Sequence, residues 1–206
     1  MFVDTHCHLT MLDLSLYNGD LDQALAQARL AGVSKFMGIS VDLDDHIQLA
    51  EIASRHDDVG YSVGVHPCED TDTMARATTD YLIQLAQDDK VWALGETGLD
   101  YYHSADFIAE QKQCFARHIQ ASKIVKKPVV VHTRAAKHDT VDIIQAEQST
   151  HGILHCFTED WETAKAVLDC GYYISFSGII SFKNAQDLRD VAKKVPLDRV
   201  LIETDS

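Results

Sequence analysis

PVVVHTR, residues 128–134, sets three consecutive valines after a proline and turns polar only at His132. A run this short and this β-branched suits a strand buried on both faces, as strands of a parallel sheet are. Pro128 cannot continue the helical pattern before it, which runs from about Asp106 to Val125. The same unit recurs along the chain. FVDTHCHL, VSKFMGISV, GYSVGVHP, VWALGETGLD, GILHCFT, YYISFSGI and VLIETD are all short apolar runs separated by helix-length segments. In the first such segment Asp20 can cap, Leu21, Leu25 and Ala28 form a stripe, and Gly32 stops the helix. A later one opens near Asn184 and stops before Pro196. Eight strands strictly alternating with seven helices predict a parallel sheet, and eight units favour a TIM-type (β/α)8 barrel over an open sheet.

Composition narrows the function. With 46% apolar and 24% charged residues the chain reads as an ordinary globular protein. Its apolar runs are strand-sized, so no membrane partner is expected. MFVDTHCH leads directly into structure without the layout of a signal peptide. Five cysteines with no C-x-x-C pair suit free thiols in a reducing cytoplasm. A net charge of −14 disfavours a general nucleic-acid-coating role, because phosphate binding normally rests on Lys and Arg. A local phosphate site built from metal ions stays open, since a bound cation can be the largest charge in a site. Nucleotide-binding glycine motifs are missing, and no Pro/Ser-rich linker divides the chain, so one domain over residues 1–206 is expected.

In a parallel barrel the C-terminal strand ends share one face, and the active site is built there. His6 and His8 fall at the first of these ends, His66 at the third, Glu96 at the fourth, His132 at the fifth, His155 at the sixth and Asp205 at the eighth. Side chains two apart on a strand point the same way, so both imidazoles of His6-Cys7-His8 face the barrel mouth. Cys7, and by the same alternation Cys156, should point outward into the helical layer. The remaining histidines (His46, His56, His103, His118, His138 and His151) fall in helical or loop segments and read as solvated surface. Four histidines and two carboxylates on one rim suit divalent transition metals. They are too many for one tetrahedral ion. They suit two ions about 3.5–4 Å apart sharing a bridging carboxylate.

VDTHCHL, GVHP, GETGLDYY, PVVVHTR, GILHCFT and IETDS, taken in order, resemble the successive motifs of the TatD family of metal-dependent hydrolases, within the amidohydrolase superfamily. The resemblance runs from residue 3 to residue 206. It implies one metal site at His6, His8, Glu96 and Asp205 and a second at Glu96, His132 and His155, with Glu96 as the bridge. It also implies two divalent ions (zinc, magnesium or manganese), a water or hydroxide between them as nucleophile, and Asp205 as its general base. The activity implied is that of a DNase or 3′-5′ exonuclease acting on DNA or another phosphodiester, bound weakly and locally. The family's pattern continues after T-D-S with a proline, a loop and a last helix. This chain is therefore expected to lack the eighth helix, to be incomplete at its C-terminus, and to expose an apolar strip at Val200, Ile202 and Thr204.

Other positions keep two readings. His66 either touches a substrate phosphate or makes a structural hydrogen bond, and Arg134 is either a phosphate fork or half of a rim salt bridge. Asp100 either orients a loop or meets substrate. Tyr101 and Tyr102 either stack on a base or fill the strand-to-helix junction. Glu203 faces inward and needs a partner, for which Lys35 or Arg134 is available; it is read as a support behind the ligands. Hydrolysis of a small amide, lactone or ester, and an inactive metal-binding fragment, are the competing functions. No segment signals an obligate protein partner.

Overall fold

The computed structural model describes residues 1–206 and places each expected run in a strand: β1 (Phe2–Cys7), β2 (Val33–Gly38), β3 (Val59–Val63), β4 (Val91–Asp100), β5 (Val129–Arg134), β6 (Gly152–Leu154), β7 (Tyr173–Phe176) and β8 (Val200–Ile202). All seven neighbouring pairs are parallel and the sheet order follows the sequence. The crossovers carry α1 (Leu21–Leu30), α2 (Asp45–Arg55), α3 (Thr71–Arg76), α4 (Thr79–Leu85), α5 (Ile108–Val125), α6 (Lys137–Ala146), α7 (Trp161–Asp169) and α8 (Gln186–Ala192). This is the TIM-type (β/α)8 arrangement. It has eight helices where seven were expected, because the β3–β4 crossover contains two. Asp70 caps α3 through Thr73 N, and Thr78 caps α4 through Tyr81 N, so one helical stretch is split by a second start signal. No helix follows β8 within the 206 residues.

Outward-facing side chains form two large clusters between sheet and helices. One is built around Leu25, Leu49, Val63 and Leu82, the other around Phe115, Val131, Leu154 and Ile174. Cys7 lies in the first, as its alternation with His6 and His8 required. A smaller cluster of Met37, Ile39, Ala93, Val130 and Ile153 fills the barrel interior and forms the floor beneath the mouth. Val130 and Ile153 sit two residues before His132 and His155, so the period-2 pleat that buries the floor also aims both imidazoles inward.

Two irregularities matter for what lies above that floor. The β4–β5 register shifts between Leu94 and Thr97. Leu94 and Leu99 both belong to the outer clusters, and the shift turns Glu96 to the inside between them. Glu96 therefore sits in mid-strand, not at a strand end, because β4 continues to Asp100. Gly98 (φ 138°) makes the close β4–β5 approach possible, since a Cβ there would lie 2.0 Å from the His132 carbonyl oxygen.

The sheet closes between β8 and β1 through a side-chain latch. Buried Asp4 accepts from Thr204 N (3.0 Å) and Thr204 Oγ1 (2.7 Å), and Thr5 Oγ1 donates to the Ile202 carbonyl (2.9 Å). Above the latch Asp205 N donates to His6 O (3.0 Å) and His8 N to Ser206 O (2.7 Å). Phe2, Val3 and Ile202 are exposed along this seam, as expected for Ile202; Val200 instead packs partly against the second outer cluster. Because Asp4 supplies two of the bonds that hold Thr204, Asp4→Ala should lower unfolding stability by about 2 kcal/mol. Urea unfolding monitored by circular dichroism measures this, and Asp4→Asn should recover part of the loss.

Candidate metal centre

Glu96 is 2% exposed, and imidazoles from four parts of the barrel are turned on its carboxylate. Its Oε2 lies 3.3 Å from His6 Nε2 and 3.8 Å from His8 Nε2. Its Oε1 lies 2.7 Å from His155 Nε2, 3.1 Å from His132 Nδ1 and 3.6 Å from His66 Nε2. Asp205 Oδ1 completes the first group, 3.6 Å from His6 Nε2 and 3.7 Å from His8 Nε2. The six residues expected as ligands lie around Glu96: His6, His8 and Asp205 gather on the side of Oε2, and Oε1 faces His155, His132 and also His66. Asp205 stands three residues beyond β8 in a left-handed conformation (φ 56°) that turns it back over the mouth.

The donor atoms fit cations better than they fit one another. His6 Nε2 and His8 Nε2 are 3.2 Å apart, and a pair of imidazole nitrogens can share at most one proton. Separations of 3.2–3.8 Å are those of atoms placed about 2 Å from one shared ion. His155 Nε2, although close to Glu96, is not aligned for a hydrogen bond and is unsatisfied, as are His6 Nδ1 and His8 Nδ1.

Charge points the same way. Burial opposes ionisation of Glu96, but the charges of His155 and His6 and the bond from His132 outweigh it and hold the carboxyl well below its usual range. Burial likewise disfavours a proton on His155, yet Glu96 and Glu203 pull its pKa well above that of a free imidazole. For His6 burial wins, aided by His155, and its pKa falls. The nearby His8 imidazole, 3.7 Å away, holds the Asp205 carboxyl far down against the effect of burial. The carboxylates thus favour protons on His8, His132 and His155 but not on His6.

Two carboxylates stand behind the second set, one of them within hydrogen-bond distance. Asp100 Oδ2 is 3.1 Å from His132 Nε2, which leaves Nδ1 facing Glu96. Glu203 lies 3.6 Å from His155 Nδ1 and accepts from Cys156 N and Ser175 Oγ, both at 2.5 Å. The Asp100–His132 pair is of the kind that fixes a ring and raises its basicity toward a metal, whereas Glu203 stands beyond hydrogen-bond distance of His155 Nδ1. Neither of the cationic partners considered for Glu203 is used. Lys35 lies over the Trp92 ring (5.5 Å) and Arg134 over Tyr102 (4.8 Å).

Above the centre is a cleft of about 610 Å³ lined by His66, Arg134, Cys156 and Asp205 among others. His66 Nδ1 accepts from Cys68 N (3.1 Å), so Nε2 carries the ring proton and faces the cleft as a donor. Burial lowers the His66 pKa to about 4, so the ring is neutral. Arg134 stacks on the exposed Tyr102 ring and makes no rim salt bridge; Tyr101 is instead tied to Asp139 (2.6 Å) against the outer cluster. Cys156 departs from expectation. Its φ of 39° breaks the alternation after His155, so the thiol turns into the cleft, 3.2 Å from Ser177 Oγ, and not into the helical layer.

His118 also departs from its surface reading. It is fully buried on α5, where its Nδ1–H donates to Cys114 O (2.8 Å) and its Nε2 accepts from Val65 N (3.2 Å), next to His66. No strand-end signal marks it; its bond from Val65 N ties α5 to the loop after β3, one residue before His66.

A family model, TatD related DNase, matches residues 3–206. The chain is 45% identical over 206 residues to an uncharacterized metal-dependent hydrolase, YcfH, of Escherichia coli strain K12, covering 99% of this chain and 77% of that one. It is 28% identical over 198 residues to the 3′-5′ ssDNA/RNA exonuclease TatD of Klebsiella pneumoniae strain 342, covering 95% and 75%. Among solved structures, YJJV, a TATD homolog from Escherichia coli k12, superposes with a TM-score of 0.87 at 24% identity, covering 99% and 78%, which speaks to the fold.

His118 gives the tie between α5 and the β3 loop a measurable pH dependence. Its two bonds need a neutral ring, and burial lowers its pKa from 6.5 to about 4. The unfolded chain takes up the proton first, so stability falls as pH drops from about 6.5 toward 4. In chelator-treated protein His118 should account for about 2 kcal/mol of the loss between pH 7 and pH 5. Urea midpoints of wild type and His118→Gln at the two pH values should differ in slope by that amount.

Proposed function

The chain belongs to the TatD-related family of metal-dependent hydrolases, and from that premise we propose that it is a two-cation phosphodiesterase that shortens single-stranded DNA from its 3′ end. The observation that carries this reading is the division of Glu96: one oxygen faces His6, His8 and Asp205, the other His132 and His155. Those six residues would hold two divalent cations, with Glu96 shared. Bound there, such a pair lowers the pKa of water and offsets charge on a phosphate and its leaving oxygen.

The chain's own residues supply the rest. Asp205 is ionised, 30% exposed at its side chain and open to the cleft, so its carboxylate is placed to take the proton of the attacking water. His66 Nε2–H donates to a non-bridging phosphate oxygen. Arg134, pre-oriented on Tyr102, offers its fork to the next phosphate. Nothing on the rim presents a base-reading element, and with a net charge of −14 the protein repels nucleic acid beyond the site. Short-footprint attack at chain ends follows. The Klebsiella relative, named as a 3′-5′ exonuclease on ssDNA and RNA, supports the same direction of attack.

Reloading chelated protein with manganese should restore two equivalents per chain by elemental analysis, and Glu96→Gln should retain less than one. Glu203→Gln should keep both sites but weaken binding roughly 10–100-fold.

On 5′-labelled single-stranded DNA the loaded enzyme should give a ladder shortening from the 3′ end, and a 3′-phosphorothioate cap should stop it. Arg134→Ala should raise KM about tenfold with kcat little changed, because it removes binding common to substrate and transition state. Turnover of a lactone or ester panel without cleavage of any nucleic acid would contradict the proposal.

A further inference from the structure

A second group of metal-ligating side chains lies at the rim, outside the six residues discussed above. Cys68 follows His66 in the loop after β3, Asp100 is the last residue of β4, and His103 lies three residues beyond it. One ligand atom from each falls within 4.8 Å of the other two. Asp100 is 1% exposed, and its Oδ2 lies 2.9 Å from His103 Nδ1. Cys68 and His103 are both exposed, so an incoming ion meets them first and leaves a coordination position to solvent.

We propose that Cys68, Asp100 and His103 form a separate site for one borderline-soft divalent cation such as zinc or cobalt. The donor set decides the class: sulfur, imidazole nitrogen and carboxylate oxygen together suit zinc-like ions, and the sulfur disfavours magnesium or calcium. Three protein donors with one open position is a common zinc arrangement. Asp100 is buried, and its Oδ1 accepts from Tyr102 N (2.9 Å) and His103 N (2.8 Å), so the third donor is fixed before the ion arrives. The same Oδ2 that faces His103 also bonds His132 Nε2. An ion here would therefore share the oxygen that orients a histidine of the main centre, and the two sites would be mechanically connected.

Cobalt(II) titration of the full-length chain tests the site without relying on any activity. None of the six main-centre residues is a cysteine, so thiolate-to-cobalt charge-transfer absorption in the near ultraviolet reports a sulfur ligand. The expected result is one cobalt equivalent that carries this absorption, lost in Cys68→Ser, bound at least tenfold more weakly in His103→Ala, and unchanged in Cys156→Ser. Absence of the absorption at saturating cobalt would overturn the proposal. So would absorption that survives Cys68→Ser and disappears in Cys156→Ser, since the sulfur ligand would then be the cleft thiol. Near-native circular dichroism of the Cys68→Ser protein, whose mutated residue is exposed, guards against loss by misfolding.

Discussion

A carboxylate with almost no access to water, set among imidazoles from β1, β5, β6 and the β3 loop, is the constraint around which this barrel is arranged. An ionised group so buried is tolerated only when it is compensated, and compensation by protons alone leaves nitrogens facing nitrogens. Glu96 reaches that position through a register irregularity in β4 and a glycine that allows β4 to press against β5. The floor of Met37, Ile39, Ala93, Val130 and Ile153 keeps water out from below. The polar cluster is thereby held at the top of the barrel, where a cation can enter from the cleft.

Around this centre the supports are unequal. His132 is braced by Asp100, while Glu203, held by Ser175 and the Cys156 amide, faces His155 Nδ1 from 3.6 Å. His6 and His8 have no such brace on Nδ1 and depend on the β1 backbone for their direction. That backbone is secured to β8 by Asp4 and Thr204 and by the Asp205 and Ser206 main chain. The fold and the site therefore meet at one seam: the bonds that close the barrel also position Asp205 against His6 and His8.

Much of this was legible in the sequence because it follows from alternation. The eight strands, the inward aim of His6, His8, His132 and His155, and the outward packing of Cys7 all rest on the period of the pleat. What was not legible lies where that period breaks. Glu96 reads as a strand-end residue because sequence does not mark the irregularity that re-aims it in mid-strand. Cys156 reads as outward because nothing announces its left-handed backbone. The split of the β3–β4 crossover was missed although Asp70 and Thr78 are both good capping residues, since two short helices have the composition of one longer one. His118 carried no signal: a histidine on a helix becomes a core hydrogen-bonding residue only through the tertiary neighbour that accepts or donates. The bracing of His132 by Asp100 was likewise a matter of distance that spacing cannot supply.

The central claim is that Glu96 joins two cations through its separate oxygens. Electron paramagnetic resonance of the manganese(II)-loaded protein addresses it most directly, because two ions sharing a carboxylate are magnetically coupled. The account predicts an exchange-coupled pair at saturation that becomes an uncoupled manganese(II) signal in Glu96→Gln. An uncoupled signal in the fully loaded wild-type protein would contradict it.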